Sequence, residues 1–112
     1  MIGPLTTDYP NVATYRNNLG TAWNAKGKYD KAIEYYEKTL ESGLKTFGED
    51  YPDVATYRNN LGSAWKAEGE YDKAIEYLEK ALSVIQVRFG DNHPYTKTLK
   101  ANLSLAKEEN PE

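Results

Sequence analysis

The sequence predicts an all-α fold, a stack of helical hairpins, on three observations. A 42-residue block repeats, apolar residues recur within it at helical spacing, and Gly and Pro punctuate it at fixed places. The block that opens at Tyr9-Pro10 returns at Tyr51-Pro52, and its opening signature returns at His93-Pro94. Asn-Val-Ala-Thr-Tyr-Arg-Asn-Asn-Leu-Gly at 11–20 becomes Asp-Val-Ala-Thr-Tyr-Arg-Asn-Asn-Leu-Gly at 53–62, and roughly two-thirds of positions match across the two full copies. Self-similarity at this period marks stacked supersecondary units rather than one globular plan. Such units present a long surface and rarely a catalytic cleft.

The elements follow in chain order as a leader at 1–8, repeats at 9–50 and 51–92, and a partial repeat at 93–112. Pro10 suits a first helical turn, with Asp8 as its N-cap. In the first helix, expected at about 11–25, Val12, Tyr15, Leu19, Ala22 and Trp23 share one stripe at about 100° per residue. Gly27 then marks a tight turn. A second stripe of Tyr29, Ala32, Ile33, Tyr36, Leu40, Leu44 and Phe47 predicts a helix at 29–47, stopped by Gly48. The second copy repeats both, as Val54, Tyr57, Leu61, Ala64 and Trp65 at 53–67, then Tyr71, Ala74, Ile75, Leu78, Leu82, Ile85 and Phe89 at 71–89. No segment alternates as a half-buried strand does.

The third copy is expected to supply one helix, at about 94–108. Thr98, Leu99, Asn102, Leu103 and Ala106 keep the pattern, but Ser104 replaces Gly20 and Gly62, and Lys107 replaces Trp23 and Trp65. With Lys97, Lys100, Glu108 and Glu109 alongside, this helix reads as the polar cap that a stack requires, against the simpler expectation of a fraying end. The two full copies diverge most at 39–46 against 81–88. Gly43 lies inside the first of these stretches, where it costs about 1 kcal/mol relative to Ala and predicts the weaker, more bendable helix. Val84, Ile85 and Val87 make the second greasier and are expected to bury more against the cap helix.

Composition excludes several function classes. A net charge of −3 over 112 residues argues against a phosphate-tracking surface, so no nucleic-acid partner is expected. The N-terminus lacks the basic start and apolar run of a signal peptide, and no apolar stretch approaches the roughly 20 residues that cross a bilayer. With no Cys, the chain suits a reducing compartment, and a cytoplasmic location without membrane attachment is expected. His93 is the single histidine, beside a Pro in a linker. We expect no catalytic residue, no metal site and no cofactor.

The joint spacing of Leu19, Gly20, Trp23, Gly27, Tyr29 and Ala32, repeated as Leu61, Gly62, Trp65, Gly69, Tyr71 and Ala74, resembles the tetratricopeptide repeat. Gly20 and Ala32 lack bulk where helices approach closely, and aromatics fill the wedge between them. The 42-residue length looks like the kinesin light chain type, whose linker carries a His-Pro that His93-Pro94 preserves and Tyr9-Pro10 and Tyr51-Pro52 do not. Arg16 and Arg58 depart from the shorter family, which often has Trp there.

The resemblance implies a right-handed superhelix of hairpins and a non-enzymatic protein-interaction scaffold, a piece of a longer array. It would bind an extended peptide or helix in a concave groove lined by the first helix of each repeat. Opposite the core stripe those helices present Thr14, Asn17, Thr21 and Asn24 with Asn18 on the flank, then Thr56, Asn59, Ser63 and Lys66 with Asn60, then Thr98, Asn102 and Leu105. Amide side chains donate and accept, so a ladder of Asn suits a partner's backbone or a bond between repeats. Merely solvated positions are the plainer alternative. Members that clamp a C-terminal carboxylate use Lys and Arg beside Asn. Asn60 matches their central Asn, but Asn17, Thr21, Thr98 and Asn102 stand in the other places, so that ligand is not expected. The second functional expectation is self-association. An uncovered face around Val12 and Tyr15, with Ile2 and Leu5 able to fold over it, invites end-to-end stacking or a hairpin exchange into a homo-oligomer.

Overall fold

Helix and turn alternate at the expected places in the computed structural model, which describes residues 10–111, with side chains from Ala13 onward. Helix α1 spans Pro10–Ala25, α2 Tyr29–Phe47, α3 Pro52–Ala67, α4 Tyr71–Phe89 and α5 Pro94–Glu109. The expected boundaries hold to within one residue. The Asp8 cap, the fold-back of Ile2 and Leu5 and the packing of Val12 lie outside the described residues and side chains.

Local chemistry explains each boundary. Gly27 (φ 78°) and Gly69 (φ 86°) occupy the left-handed region in the turn within each hairpin, which favours a residue without Cβ. Pro52 and Pro94 open α3 and α5 at first-turn positions where a missing N–H is harmless. At α5 the preceding residue also caps: the Tyr95 N–H donates to His93 Nδ1 at 3.1 Å. The His93 ring stacks on Phe89 at 4.6 Å, as Tyr51 stacks on Phe47 at 4.3 Å one repeat earlier. The His-Pro pair is thus a helix start, and Tyr supplies the same stacking ring without the capping nitrogen.

Each helix packs chiefly on its neighbours in sequence, and α3 also touches the other first helices, α1 on one side and α5 on the other. The stack measures 53 × 33 × 18 Å. Its interior is divided. One cluster joins Ala32, Ile33 and Tyr36 of α2 to Leu61 and Ala64 of α3, with Trp23 and Trp65 partly buried at its edge. The other joins Ala55 of α3, Leu78, Ala81 and Ile85 of α4, and Leu99 and Ala106 of α5. Lys26 and Lys31 lie over the Trp23 ring, and Lys73 lies over Trp65 at 4.2 Å, so the exposed ring faces are covered by cations.

Close approach is set by three glycines. A Cβ at Gly20 would stand 2.6 Å from the Tyr36 ring, one at Gly62 would stand 2.8 Å from Leu78, and one at Gly43 would stand 2.8 Å from the ring of Tyr57. The third contact corrects the expectation for Gly43. Propensity sees only a cost, whereas the residue is buried inside an unbroken helix and makes the slot that receives Tyr57 from the next repeat.

Other differences are smaller. Ile85 is fully buried and Val84 packs against the second cluster, but Val87 is 86% exposed and adds nothing to the α5 contact. Arg58 is buried at 5% and donates to Glu49 at 3.0 Å, holding the α2–α3 linker against α3. Its counterpart Arg16 reaches Ser42 Oγ at 3.5 Å. Surface pairs Glu34–Lys38 and Glu41–Lys45 close at 3.9 and 3.8 Å. In α5, Thr96 is buried and donates to the Gly90 carbonyl at 2.7 Å, which fixes the helix on the end of α4.

The slot at Gly43 gives a test of sign. Helix propensity alone makes Gly43→Ala stabilising by about 1 kcal/mol. Overlap with the Tyr57 ring makes it destabilising by about 1–2 kcal/mol net, read as a lowered urea midpoint.

Candidate functional site

Polar side chains line the seam where α1, α3 and α5 meet, and they pair across it in a fixed register. Asn60 Nδ2 donates to Asn17 Oδ1 at 2.8 Å, and Asn102 Nδ2 donates to Asn59 Oδ1 at 3.1 Å. Each pair is separated by 43 residues, one more than the repeat. That extra residue explains the Asn-Asn doublet. The first Asn of each copy accepts from the copy that follows, and the second donates to the copy before. Where no copy follows in this chain, the first position is Ala101. Asn18, the second Asn of the first copy, is exposed and has no hydrogen-bond partner among the described residues.

Pairing uses only part of each amide. Asn17 and Asn59 keep their N–H donors, while Asn60 and Asn102 keep their carbonyl oxygens. Among the described residues the buried side-chain polar atoms without a partner are Asn24 Oδ1 and Trp65 Nε1. The spare groups of the four paired asparagines are therefore reachable from solvent. Each pair presents one donor and one acceptor held in place by its internal bond.

The other sequence-predicted positions divide. Thr14 is exposed and Ser63 half-buried. Thr21 Oγ1 lies 3.0 Å from the Asn17 carbonyl and 3.0 Å from the Tyr36 hydroxyl. Its own proton goes to the carbonyl, so Tyr36 donates to Thr21 and the threonine is engaged with α2. Thr56 makes the equivalent use of its proton at the Pro52 carbonyl, at 3.3 Å, and accepts from Tyr95 of α5 at 2.8 Å. Asn24 has its carbonyl oxygen buried, leaving only its amide for a ligand. Lys66 reaches Glu109 at 3.6 Å and closes the same end of the seam between α3 and α5. The structure therefore gathers Asn17, Asn60, Asn59 and Asn102 into one row and commits Thr21, Thr56 and Lys66 to holding helices together.

Sequence reasoning missed the two tyrosine hydroxyls. Their signal was a Thr on one helix and a Tyr elsewhere that fails to repeat: Leu78 replaces Tyr36 in copy two, and Asp53 stands where Tyr95 does in copy three. Burial raises the pKa of Tyr36 and Tyr95 above the ordinary tyrosine value, with the threonine bonds partly offsetting it. Burial also raises Tyr57 and Tyr77, reinforced by nearby carboxylates, Asp53 for the first and Glu37 and Glu76 for the second.

Away from the seam, a polar cleft of about 320 Å³ lies beside the α2–α3 linker, lined by Glu49, Asp50, Arg58, Lys80, Ser83 and Val84. Two of its four charges pair with each other, Arg58 with Glu49, and nearby Arg88 donates to the Asp50 backbone carbonyl at 3.0 Å. Among the described residues no three His, Cys, Asp or Glu side chains converge to hold a metal, and no helix is long and apolar enough to cross a membrane.

With this geometry in hand, comparison with known proteins is informative. Tetratricopeptide repeat profiles match residues 11–67 and 54–95. A kinesin-light-chain-type protein of nearly identical TPR-like repeats from P. anserina superposes with a TM-score of 0.87 at 23% identity, over 93% of this chain and 49% of that one. BtubC (BKLC) from P. vanneervenii superposes with a TM-score of 0.83 at 29% identity, over 90% of this chain and 41% of that one. The chain spans less than half the length of either structure. No curated protein sequence matches it.

If the amides are cross-links, Asn59→Ala and Asn102→Ala are coupled. Each costs about 0.5–1.5 kcal/mol, and the double variant costs less than their sum by about 0.5–1 kcal/mol in a urea-unfolding cycle. The tyrosines give a pH test. Their folded values are raised above the unfolded one, so the neutral form stabilises the fold below about pH 10, and that stability is lost as pH rises through the folded values. Tyrosinate absorbance from these buried residues should therefore appear together with loss of helical circular dichroism.

Proposed function

The chain belongs to the tetratricopeptide repeat family, whose fold is that of a protein-interaction scaffold, and on that premise we propose that its row of asparagine pairs binds the backbone of an extended peptide. The observation that carries the reading is the divided valence of the amides. Each pair spends one N–H and one lone pair on itself and leaves an unengaged NH2 group and an unengaged carbonyl oxygen, the kinds of group that a peptide unit needs.

Dimensions set the footprint. First helices packed about 8–10 Å apart are bridged by about three extended residues at about 3.3 Å each. Two pairs plus Asn18 therefore hold about six residues, and recognition of backbone rather than side chains is tolerant of sequence. Binding of this kind is weak unless several arrays act together. In this reading the chain is a non-enzymatic scaffold of the cytoplasm that works without a cofactor, and its parent array supplies further pairs.

The test is a titration of extended hexapeptides followed through the side-chain amide signals of Asn17, Asn59, Asn60 and Asn102. We expect these four to shift together, and Asn59→Ala to weaken binding about tenfold, the equivalent of about 1.4 kcal/mol. Binding that leaves the four signals in place would count against the seam as the site.

A further inference from the structure

Among the described residues nothing covers a face of α1 whose counterpart on α3 is buried. Tyr15 is 65% exposed, whereas its counterpart Tyr57 is 6% exposed in the slot at Gly43. Ala22 is exposed and Leu19 half-buried, against 0% for both Ala64 and Leu61. Asn18 lacks the acceptor that Asn60 finds in Asn17. Spaced at 15, 18, 19 and 22, these four form one stripe.

We propose that this stripe is a docking surface for one more 42-residue repeat of the first type, packed on the N-terminal side of α1. That repeat would carry Gly at the position of Gly43 and Asn at the position of Asn17. The two junctions within the chain show why the type matters. At the first, Tyr57 enters a slot made by Gly43. At the second the same two positions hold Leu99 and Ile85, both fully buried in one cluster. A ring needs the glycine, and a leucine fills its space against isoleucine. Tyr15 against an Ile would overpack the junction, a change that costs stability as surely as a cavity does.

An intact second copy has no free receiver to offer. Its α2 slot is filled by its own Tyr57, and its α4 site is covered by its own Leu99. Its other end is built to stop. Ala101 has no amide to extend the row, Lys107 stands in place of Trp, and Ser104 carries a Cβ where, at Gly62, one would meet Leu78 at 2.8 Å and the Ala74 carbonyl at 3.3 Å. The P. anserina and P. vanneervenii structures, each more than twice as long as the matched region, have the length for such additional units.

The experiment compares the 112-residue chain with two extended proteins. One carries an added copy of residues 9–50 directly before Tyr9, and the other an added copy of residues 51–92. The first should unfold in urea in a single transition at a raised midpoint. The second should show a separate, earlier transition for the added unit, and Tyr15→Leu should restore its coupling by recreating the Leu–Ile junction. Asn18→Ala should lower the midpoint by about 0.5 M urea in the first extended protein and leave the parent unchanged. Equal gains from both additions, a silent Asn18→Ala in the extended protein, or concentration-dependent assembly of the parent through Tyr15 would overturn the proposal.

Discussion

Everything in this fold depends on how closely one helix can approach the next. At Gly20, Gly43 and Gly62 a single missing carbon lets a ring or a leucine from a neighbouring helix lie against backbone. Those contacts set the separation and tilt of successive helices, and the tilt places the first helices side by side. The asparagine pairs span that seam at 2.8 and 3.1 Å, bonds that a shift of about 1 Å would break. Apolar packing thus sets the register, and the polar seam records it.

The seam also shows how one residue type serves two ends. A lone asparagine in mid-helix is a mediocre choice, yet a doublet is needed if each copy is to bond both its predecessor and its successor. The unused half of every amide then faces outward at no further structural cost. The number of such cross-links grows with the number of copies, because each new junction adds one bonded pair.

Much of this was legible in the sequence. Five helices, their boundaries and the roles of Gly20, Gly27, Gly48 and Gly62 follow from a strict period and from backbone chemistry, both of which are local. What escaped was set by relations between copies. Gly43 reads as a flaw until Tyr57 is placed against it, since propensity knows nothing of the following repeat. A bond between repeats is among the expectations for the asparagines and is found, but its register is not legible: the partners lie at 43 residues rather than 42, a one-residue slip that the stagger of neighbouring helices sets. Arg58 read as a mere departure from a family pattern. Its burial against Glu49 depends on where the linker passes. Val87 was judged by hydrophobicity, and it lies on the side of α4 turned from α5.

The division of the interior into two clusters gives the middle helix a singular position. Helix α3 sends Leu61 and Ala64 to one cluster and Ala55 to the other, while among the described residues α1 packs on α2 and α3, and α5 packs on α4 and α3. Local opening at either outer helix therefore leaves the far cluster intact, whereas loosening α3 disturbs both. The central helix acts as the keystone of an arch.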